Sequence, residues 1–372
     1  MGARLVLAGG GHAHLFVLEG LSRGRFPRDV GVTLVAPDRQ HAYSGMVPGL
    51  VGGRYRPEEL LLDLAALARA GGAGFVEGRV DALDPAGRTV RLSDGRRIAY
   101  DVLSLAIGSG NAGTGLPGVP EHAVLLKPID RTLALVPAVE RAAAAGEPAV
   151  AVVGGGAAGV ELALNLRTRL ALLGRAAAPV RLVDGDDRTL RDRSAACRRA
   201  AEQVLRARGI ELVLGSEVAR ASEAGLRLVD GRSVEAGVVV WATGPSAPRL
   251  FEGTGLALDP LGYLRVDATL RSVSHPEIFA AGDAASPEGH PGLAKAGVYA
   301  VRQGPVLSDN LAAACAGGEP RRRFRPQRRF LALLNTGDGR AILSWGDLAL
   351  AGRWAMALKD RIDRRFMHRF RR

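Results

Sequence analysis

Short apolar runs punctuated by glycine turns set the rhythm of this chain. Arg4-Leu-Val-Leu-Ala8, Val30-Gly-Val-Thr-Leu-Val35, Ala149-Val-Ala-Val-Val153 and Pro179-Val-Arg-Leu-Val183 are Val- and Leu-rich with little polar alternation. Strands covered by helices on both faces read this way. Glu277-Ile-Phe-Ala-Ala-Gly282-Asp283-Ala284 predicts another buried strand, ending in a Gly-Asp turn, and Leu105-Ala-Ile-Gly108-Ser109 and Trp241-Ala-Thr-Gly244 end two more. Residues 131–145 and 294–310 read as helices, the former Ala-rich. Strands alternating with helices predict an α/β fold built on parallel sheets.

The glycine turns carry candidate chemistry. The strand 149–153 runs into Gly154-Gly-Gly156-Ala157-Ala158-Gly159-Val-Glu161. The first glycine of such a turn permits a sharp reversal, the second lets a pyrophosphate approach the backbone, and the third lets helix and strand pack closely. The helix N-terminus then faces the phosphates. The next strand ends at Asp184, where a carboxylate can hydrogen-bond ribose hydroxyls and repel a 2′-phosphate, favouring NADH over NADPH. Arg188 and Arg191 keep NADPH open, and the plainer reading of Asp184 is a turn residue before Gly185.

An earlier cluster, Gly9-Gly-Gly11-His12-Ala13-His14, repeats the pattern with His14 in the third-glycine position. A ring there must push helix and strand apart or point away. The acid expected after the second strand is displaced to Asp38 or missing. His12 and His14 are either functional or helix-start residues with satisfied rings. Two fingerprints imply two dinucleotides, a flavin nucleotide and a nicotinamide nucleotide, placed for hydride transfer. Asp283, at a strand end beside a helix N-terminus, suits a ribityl hydroxyl or a water at phosphate.

Over roughly residues 4–312 these motifs together resemble the pyridine nucleotide-disulfide oxidoreductase superfamily of two-domain flavoproteins. The resemblance implies two Rossmann-like dinucleotide-binding domains. FAD would lie on Gly9, Gly11, His12, Ala13, Asp38, Gly45, Met46, Gly108, Ser109, Gly282 and Asp283, and NADH (or NADPH) on Gly154, Gly156, Ala157, Ala158, Asp184 and Gly244. Glu161 matches the acidic residue that lies near the nicotinamide and flavin rings in relatives; its alternative is a helix carboxylate paired with a nearby arginine. Residues 295–303 match the stretch covering the flavin pyrimidine edge, where Lys295 stabilises negative charge or stays solvated.

Cys197 and Cys315 are the only cysteines and lack CxxC spacing. Ser44, in Ala42-Tyr43-Ser44-Gly45-Met46, stands where single-cysteine relatives place a thiol. A hydroxyl cannot shuttle electrons as a thiolate does, so electrons are expected to pass directly to an acceptor. The general resemblance is to type II NADH dehydrogenase, which reduces quinone. A narrower one, through Gly-Gly-Gly-His-Ala-His, residues 43–50 and the tail segments at 335–341, 345–346 and 359–367, is to the flavoprotein module associated with selenophosphate synthetase. That module implies a reductase serving selenium metabolism, with selenophosphate synthetase as partner. A slowly turning NADH sensor is the third alternative.

Composition adds limits. A chain of 372 residues, 47% hydrophobic with 49 glycines, can bury two α/β cores. Few cysteines fit a reducing cytoplasm, no apolar run reaches the ~18 residues of a membrane span, and the N-terminus reads as a strand rather than a signal peptide. The net charge of +12 is concentrated in residues 319–372, with 15 Lys and Arg against 5 Asp and Glu. Trp354, Leu358, Ile362, Phe366 and Phe370 recur every four residues, and Arg361, Arg364, Arg365, Arg369, Arg371 and Arg372 fill much of the remainder. This predicts a helix with one apolar stripe, lying on an anionic membrane at its inner face, or packed on its own domain or a dimer partner. Nucleic acid is the least favoured partner, for want of a recognisable module. The expected organisation is an FAD domain over 1–112 and 246–312, an NAD(P)H domain over 113–245, and a small α+β domain over 313–372.

Overall fold

The computed structural model describes residues 2–127, 129–327 and 329–371. The apolar runs become the centres of two five-stranded parallel sheets. The first runs Ile278–Ala280, Val102–Leu105, Arg4–Ala8, Gly31–Ala36, Gly74–Glu77. The second runs Ala123–Leu125, Val238–Trp241, Val150–Val153, Val180–Asp184, Ile210–Leu214. The order is the same in both: a fingerprint strand at the centre, the strand after its helix on one side, and a strand ending in a glycine turn on the other. Each half also carries a three-stranded antiparallel meander, Val80–Asp84, Thr89–Leu92 and Arg97–Ala99 in one and Val218–Ser222, Gly225–Leu228 and Ser233–Glu235 in the other. These meanders are short, charged and partly exposed, so they lack the buried runs that betray the parallel strands.

One steric constraint shapes both fingerprint turns. Gly9 and Gly154 have φ of +93° and +113°. A Cβ at Gly9 would lie 2.5 Å from the Ala106 carbonyl oxygen, and one at Gly154 would lie 2.5 Å from that of Ala242. Only glycine satisfies both the dihedral and the approach. At the third position a Cβ on Gly159 would collide with the Gly154 carbonyl oxygen. His14 solves the same problem differently. Its buried ring lies with Nδ1 2.6 Å from the Gly9 carbonyl oxygen and Nε2 2.8 Å from Ser104 Oγ. A carbonyl only accepts, so Nδ1 carries the proton and Nε2 accepts from the hydroxyl. Burial pushes this imidazole down to about 4, keeping it neutral. The ring neither splits helix from strand nor turns away; it ties the turn to the neighbouring strand.

The chain passes between the halves twice, and the two passages meet. Gly110–Asn111 pairs antiparallel with Pro245–Ser246, and Trp241 Nε1 donates to the Ala112 carbonyl at 2.8 Å. The predicted helix at 131–145 is a 3-10 segment, Ile129–Ala134, followed by the helix Leu135–Ala144. The helix expected at 294–310 runs Gly297–Cys315, with Cys315 as its last residue.

The C-terminal strands lie at Ala332–Asn335 and Ala341–Trp345, joined by a third, Leu348–Gly352. The helix Arg353–Phe370 follows, and here the expected single stripe is wrong. Phe366 and Phe370 pack inward, whereas Trp354 and Ile362 are exposed. The helix advances about 100° per residue, so each four-residue step overshoots a full turn by about 40°. A strict fourfold repeat therefore winds off the face on which it began. The buried face is instead Ala355, Met356, Lys359, Asp363, Met367 and Phe370. Phe370 meets Phe16 edge-on at 5.1 Å, Phe366 stacks on Tyr43 at 4.4 Å, and Arg369 bonds Glu19 at 2.6 Å. Arg372 lies outside the described residues. Phe370→Ala is expected to destabilise the chain by about 3–5 kcal/mol, measurable by denaturant unfolding, since its ring joins the terminal helix to the first fingerprint helix.

Candidate functional site

A cleft of about 990 Å³ opens along the second fingerprint, with Gly154, Gly156, Ala157, Ala158, Asp184 and Gly244 in its wall. The Asp184 carboxylate accepts the Gly155 backbone N–H and, at 2.8 Å, that of Asp186. The second sheet thus places its acid directly on the glycine turn. Arg188 and Arg191 also line the cleft, but each is engaged by an acid, Asp187 at 2.8 Å and Asp186 at 2.9 Å. The rim thus carries both signs of charge, with Arg193 and Asp192 also in its wall.

The far end of the cleft is lined by Lys127, Tyr263 and Lys295. Lys295 Nζ donates to the Ala285 carbonyl at 2.6 Å and lies 3.9 Å above the Tyr263 ring. Burial lowers its pKa. Lys295 is therefore half-buried and held by a hydrogen bond and an aromatic ring. Lys127 is a residue that the motifs missed. It bonds Asp283 at 2.8 Å and Ser109 Oγ at 2.6 Å, and Ser109 itself donates to Asp283 at 2.9 Å. Gly108 and Gly282 form the flanking turns with φ of +73° and +72°. Gln303, buried in the following helix, accepts the Gly282 N–H at 2.6 Å.

A second group gathers where the C-terminal helix crosses the first domain. Glu161, in the first turns of the helix Ala157–Leu172, accepts the Asn335 N–H on Oε1 at 2.7 Å. Its partner is thus a backbone amide, not a neighbouring arginine. Burial pushes Glu161 up to about 6, with Lys359 opposing the shift. Buried Lys359 donates to the Gly45 carbonyl at 2.8 Å and to Asp363 at 3.1 Å. Burial alone would lower the ammonium, but Glu161 and Asp363 outweigh it and raise its pKa. Tyr43 donates to the other Asp363 oxygen at 3.2 Å. Buried Met46 completes the segment.

Lys359 and Lys127 share a signal that was present in the sequence. The chain has only three lysines among 50 Lys and Arg, and the third is Lys295. All three lie in these clusters. A compact ammonium whose pKa responds to burial differs from the always-charged guanidinium fork.

The remaining expected residues separate. His12 and Ala13 open the first fingerprint helix, with the His12 ring 4.9 Å from that of His41. Asp38 is exposed and accepts the Gln40 N–H at 2.8 Å, capping its own turn. Cys197 is buried and Cys315 has its thiol pushed up to about 12 by burial, and both are free. Among the described residues no His, Cys, Asp and Glu cluster suits a metal ion, and no helix is long and apolar enough to cross a membrane.

Comparison with known proteins agrees with this architecture. A family model described as pyridine nucleotide-disulphide oxidoreductase matches residues 3–304. An NADH dehydrogenase-like protein of Mycobacterium tuberculosis is 36% identical over 225 residues, 58% of this chain and 56% of its own length. The match thus spans little more than half of that relative. The type II NADH:quinone oxidoreductase of the same organism is 27% identical over 351 residues, covering 86% of this chain and 74% of that protein. In three dimensions the chain is similar to Plasmodium falciparum NDH2 in complex with NADH, with a TM-score of 0.83 at 14% identity over 100% of this chain and 98% of that one. The Aquifex aeolicus sulfide:quinone oxidoreductase gives a TM-score of 0.80 at 18% identity, covering 99% of this chain and 91% of that one. With the family match extending across both sheets, the chain belongs to the pyridine nucleotide-disulphide oxidoreductase family.

Proposed function

We propose that the chain is an FAD-dependent NAD(P)H dehydrogenase that delivers electrons to a quinone or another small acceptor without a redox disulfide. The observation that carries this reading is the cleft. It begins at the second glycine turn and ends at Lys295 and Lys127, beside the Asp283 network of the first sheet. Its volume suits a nicotinamide dinucleotide. The first turn supports a second dinucleotide because it is built like the other: Gly9 and Gly11 press on the Ala106 carbonyl as Gly154 presses on that of Ala242. Gly9, Gly11, Gly108, Ser109, Gly282 and Asp283 would hold FAD; Gly154, Gly156, Ala157, Ala158, Asp184 and Gly244 would hold NADH. When bound, the flavin accepts hydride from the nicotinamide and passes the electrons on. Two sheets joined at the paired crossings support the division into 1–112 with 246–312 and 113–245, whereas the boundary expected between 312 and 313–372 falls inside the helix Gly297–Cys315.

The chain's own part in this chemistry is orientation and proton handling. With Oε1 taken by the Asn335 N–H, Oε2 is the oxygen left to carry the proton when Glu161 is protonated. Lys359 fixes Gly45 and Asp363 on one side and counters the Glu161 charge on the other. Tyr43, through Asp363, anchors the same lysine. Cys197 is buried, the Cys315 thiol is pushed up by burial, and the two are not joined, which supports direct electron delivery. The selenium reading rests on resemblance alone; no contact described above favours it.

An exposed apolar surface bears on where the acceptor is met. Trp345, Leu348, Leu350, Trp354 and Ile362 are each 44–51% exposed on the C-terminal hairpin and helix. Exposed Arg353, Arg361 and Arg365 lie among them in sequence. Such a surface supports peripheral contact with an anionic membrane, where a lipid-soluble quinone is available.

In anaerobic stopped flow, the FAD-loaded protein is expected to bleach rapidly with NADH and recover its flavin absorbance with a short-chain quinone. A chain that cannot be loaded with FAD would falsify the reading. Asp184→Ala is expected to lower kcat/KM for NADH about tenfold by removing charged hydrogen bonds to ribose, while narrowing the gap to NADPH. A raised pKa leaves Glu161 protonated below about 6 and ionised above it. The quinone-dependent recovery should therefore slow as pH rises through that value. Glu161→Gln should slow it about hundredfold and remove this pH dependence, with bleaching by NADH largely retained. Co-sedimentation with phosphatidylglycerol vesicles should fall sharply in Leu348→Glu and Trp354→Glu; equal binding by wild type and variants would locate the membrane contact elsewhere.

A further inference from the structure

Glu161 takes its hydrogen bond from a backbone amide 174 residues along the chain, and a polar stripe on its own helix brings that amide there. Glu161, Asn165 and Thr168 lie at i, i+4 and i+7 of the helix Ala157–Leu172, a spacing that puts them on one face. Opposite this face is the turn that follows the strand Ala332–Asn335. Asn165, 1% exposed, donates through Nδ2 to the Asn335 carbonyl at 3.2 Å and to the Glu161 carbonyl at 2.7 Å. Thr168 Oγ1 donates to the Gly337 carbonyl at 2.9 Å and accepts from Arg208 at 2.8 Å. Gly337 has φ of +77°, and a Cβ there would lie 2.7 Å from both the Leu164 carbonyl oxygen and Thr168 Oγ1, so only glycine lets the turn come this close. Asn335 Oδ1 closes the turn by accepting the Gly337 N–H at 2.9 Å.

These contacts converge on an ionisable group. Asn165 and Thr168 both meet carbonyls of the turn, which leaves the Asn335 N–H facing Glu161 Oε1 at 2.7 Å. An amide donor favours the ionised carboxylate and so opposes the effect of burial. The charges acting on the same carboxyl come from other elements. Lys359 of the terminal helix and Arg193 of the segment after Asp184 favour ionisation, and Asp363 of the terminal helix opposes it. Lys359 is shared with Gly45 and Asp363, and Arg193 with Asp192 and the Phe330 ring. The amide is different, because it is fixed in the backbone and arrives only through the register of the turn on the helix. From the first half, Gly52 presses on the same stripe: a Cβ there would lie 2.4 Å from Asn165 Oδ1.

We propose that Asn165 and Thr168 are positioning residues for Glu161: they register the Asn335–Gly337 turn so that its leading amide holds one carboxyl oxygen and leaves the other to exchange protons. The importance of this for turnover rests on the reading of Glu161 as the acid that handles the proton. The C-terminal hairpin thereby sets the working pH of a group that belongs to the second half of the molecule.

The test separates positioning from packing by the direction of a titration. The Glu161 side-chain carboxyl is followed by ¹³C NMR in the FAD-loaded full chain, its signal assigned by loss in Glu161→Gln. The pH profile of quinone-dependent flavin recovery is measured alongside, for wild type, Asn165→Leu, Thr168→Val, the double variant and Thr168→Ser. Losing the amide removes a donor to the carboxylate, so the carboxyl midpoint is expected to rise by about one pH unit in the double variant and by less in each single one. The recovery profile should move to higher pH with it. Thr168→Ser, which keeps the hydroxyl, should titrate like wild type. An unchanged midpoint in the double variant overturns the inference. So does a midpoint that falls, because water entering a loosened site solvates the carboxylate, which is the behaviour of residues that merely pack. A midpoint that rises while the recovery profile stays in place upholds the positioning and overturns instead the reading of Glu161 as the proton-handling acid. If the variants do not fold, the wild type decides: the Asn335 amide signal must titrate with the Glu161 midpoint, and a static amide overturns the proposal.

Discussion

The approach of a glycine turn to the carbonyl of the neighbouring strand governs this molecule. Gly9 against Ala106 and Gly154 against Ala242 are the same contact made twice, each at a positive φ that a side chain resists. It sets the spacing between the central strand and the strand beside it. That spacing aligns the ends of the strands, and the end of a parallel sheet is where a ligand meets helix N-termini and backbone amides. The clusters at Ser109 and Asp283, and at Asp184, lie at these strand ends because the turns fix where the strands stop.

The two halves use the common frame differently. In the second half Gly159 permits close packing and Asp184 folds back onto Gly155. In the first half His14 fills the glycine's place, and its ring satisfies itself between Gly9 and Ser104. The carboxylate that would answer Asp184 sits instead at Asp38, in an exposed turn. A duplicated architecture has therefore acquired two chemical characters. One turn is open to a cleft and lined by acids, and the other is closed over by imidazole and aromatic rings.

The C-terminal segment completes the centre. Lys359 reaches from its helix to the Gly45 carbonyl and to Asp363, within the field of Glu161 from the second half. A buried ammonium needs such company, because leaving any member unpaired would place an uncompensated charge in a poorly solvated site. The same helix turns Trp354 and Ile362 outward. One element thus both seals the interior and presents an apolar surface.

Much was legible in the chain. Strand cores, both glycine turns, Asp184 and the Gly282-Asp283 turn are local: a few consecutive residues dictate the dihedral, the close approach or the strand end, and the structure places each accordingly. The absence of a cysteine pair was equally plain. Tertiary structure alone decided the rest, because it depended on residues distant in sequence. Lys127 meets Asp283 across 156 positions, and Lys359 meets Gly45 across 314; no periodicity records such pairings, although the scarcity of lysine marked both. The fourfold apolar repeat at 354–370 misled, since its phase drifts around a helix of 3.6 residues per turn. Which side of that helix faced inward was fixed by Phe16, Tyr43 and Gly45, groups that a one-dimensional pattern cannot bring beside it.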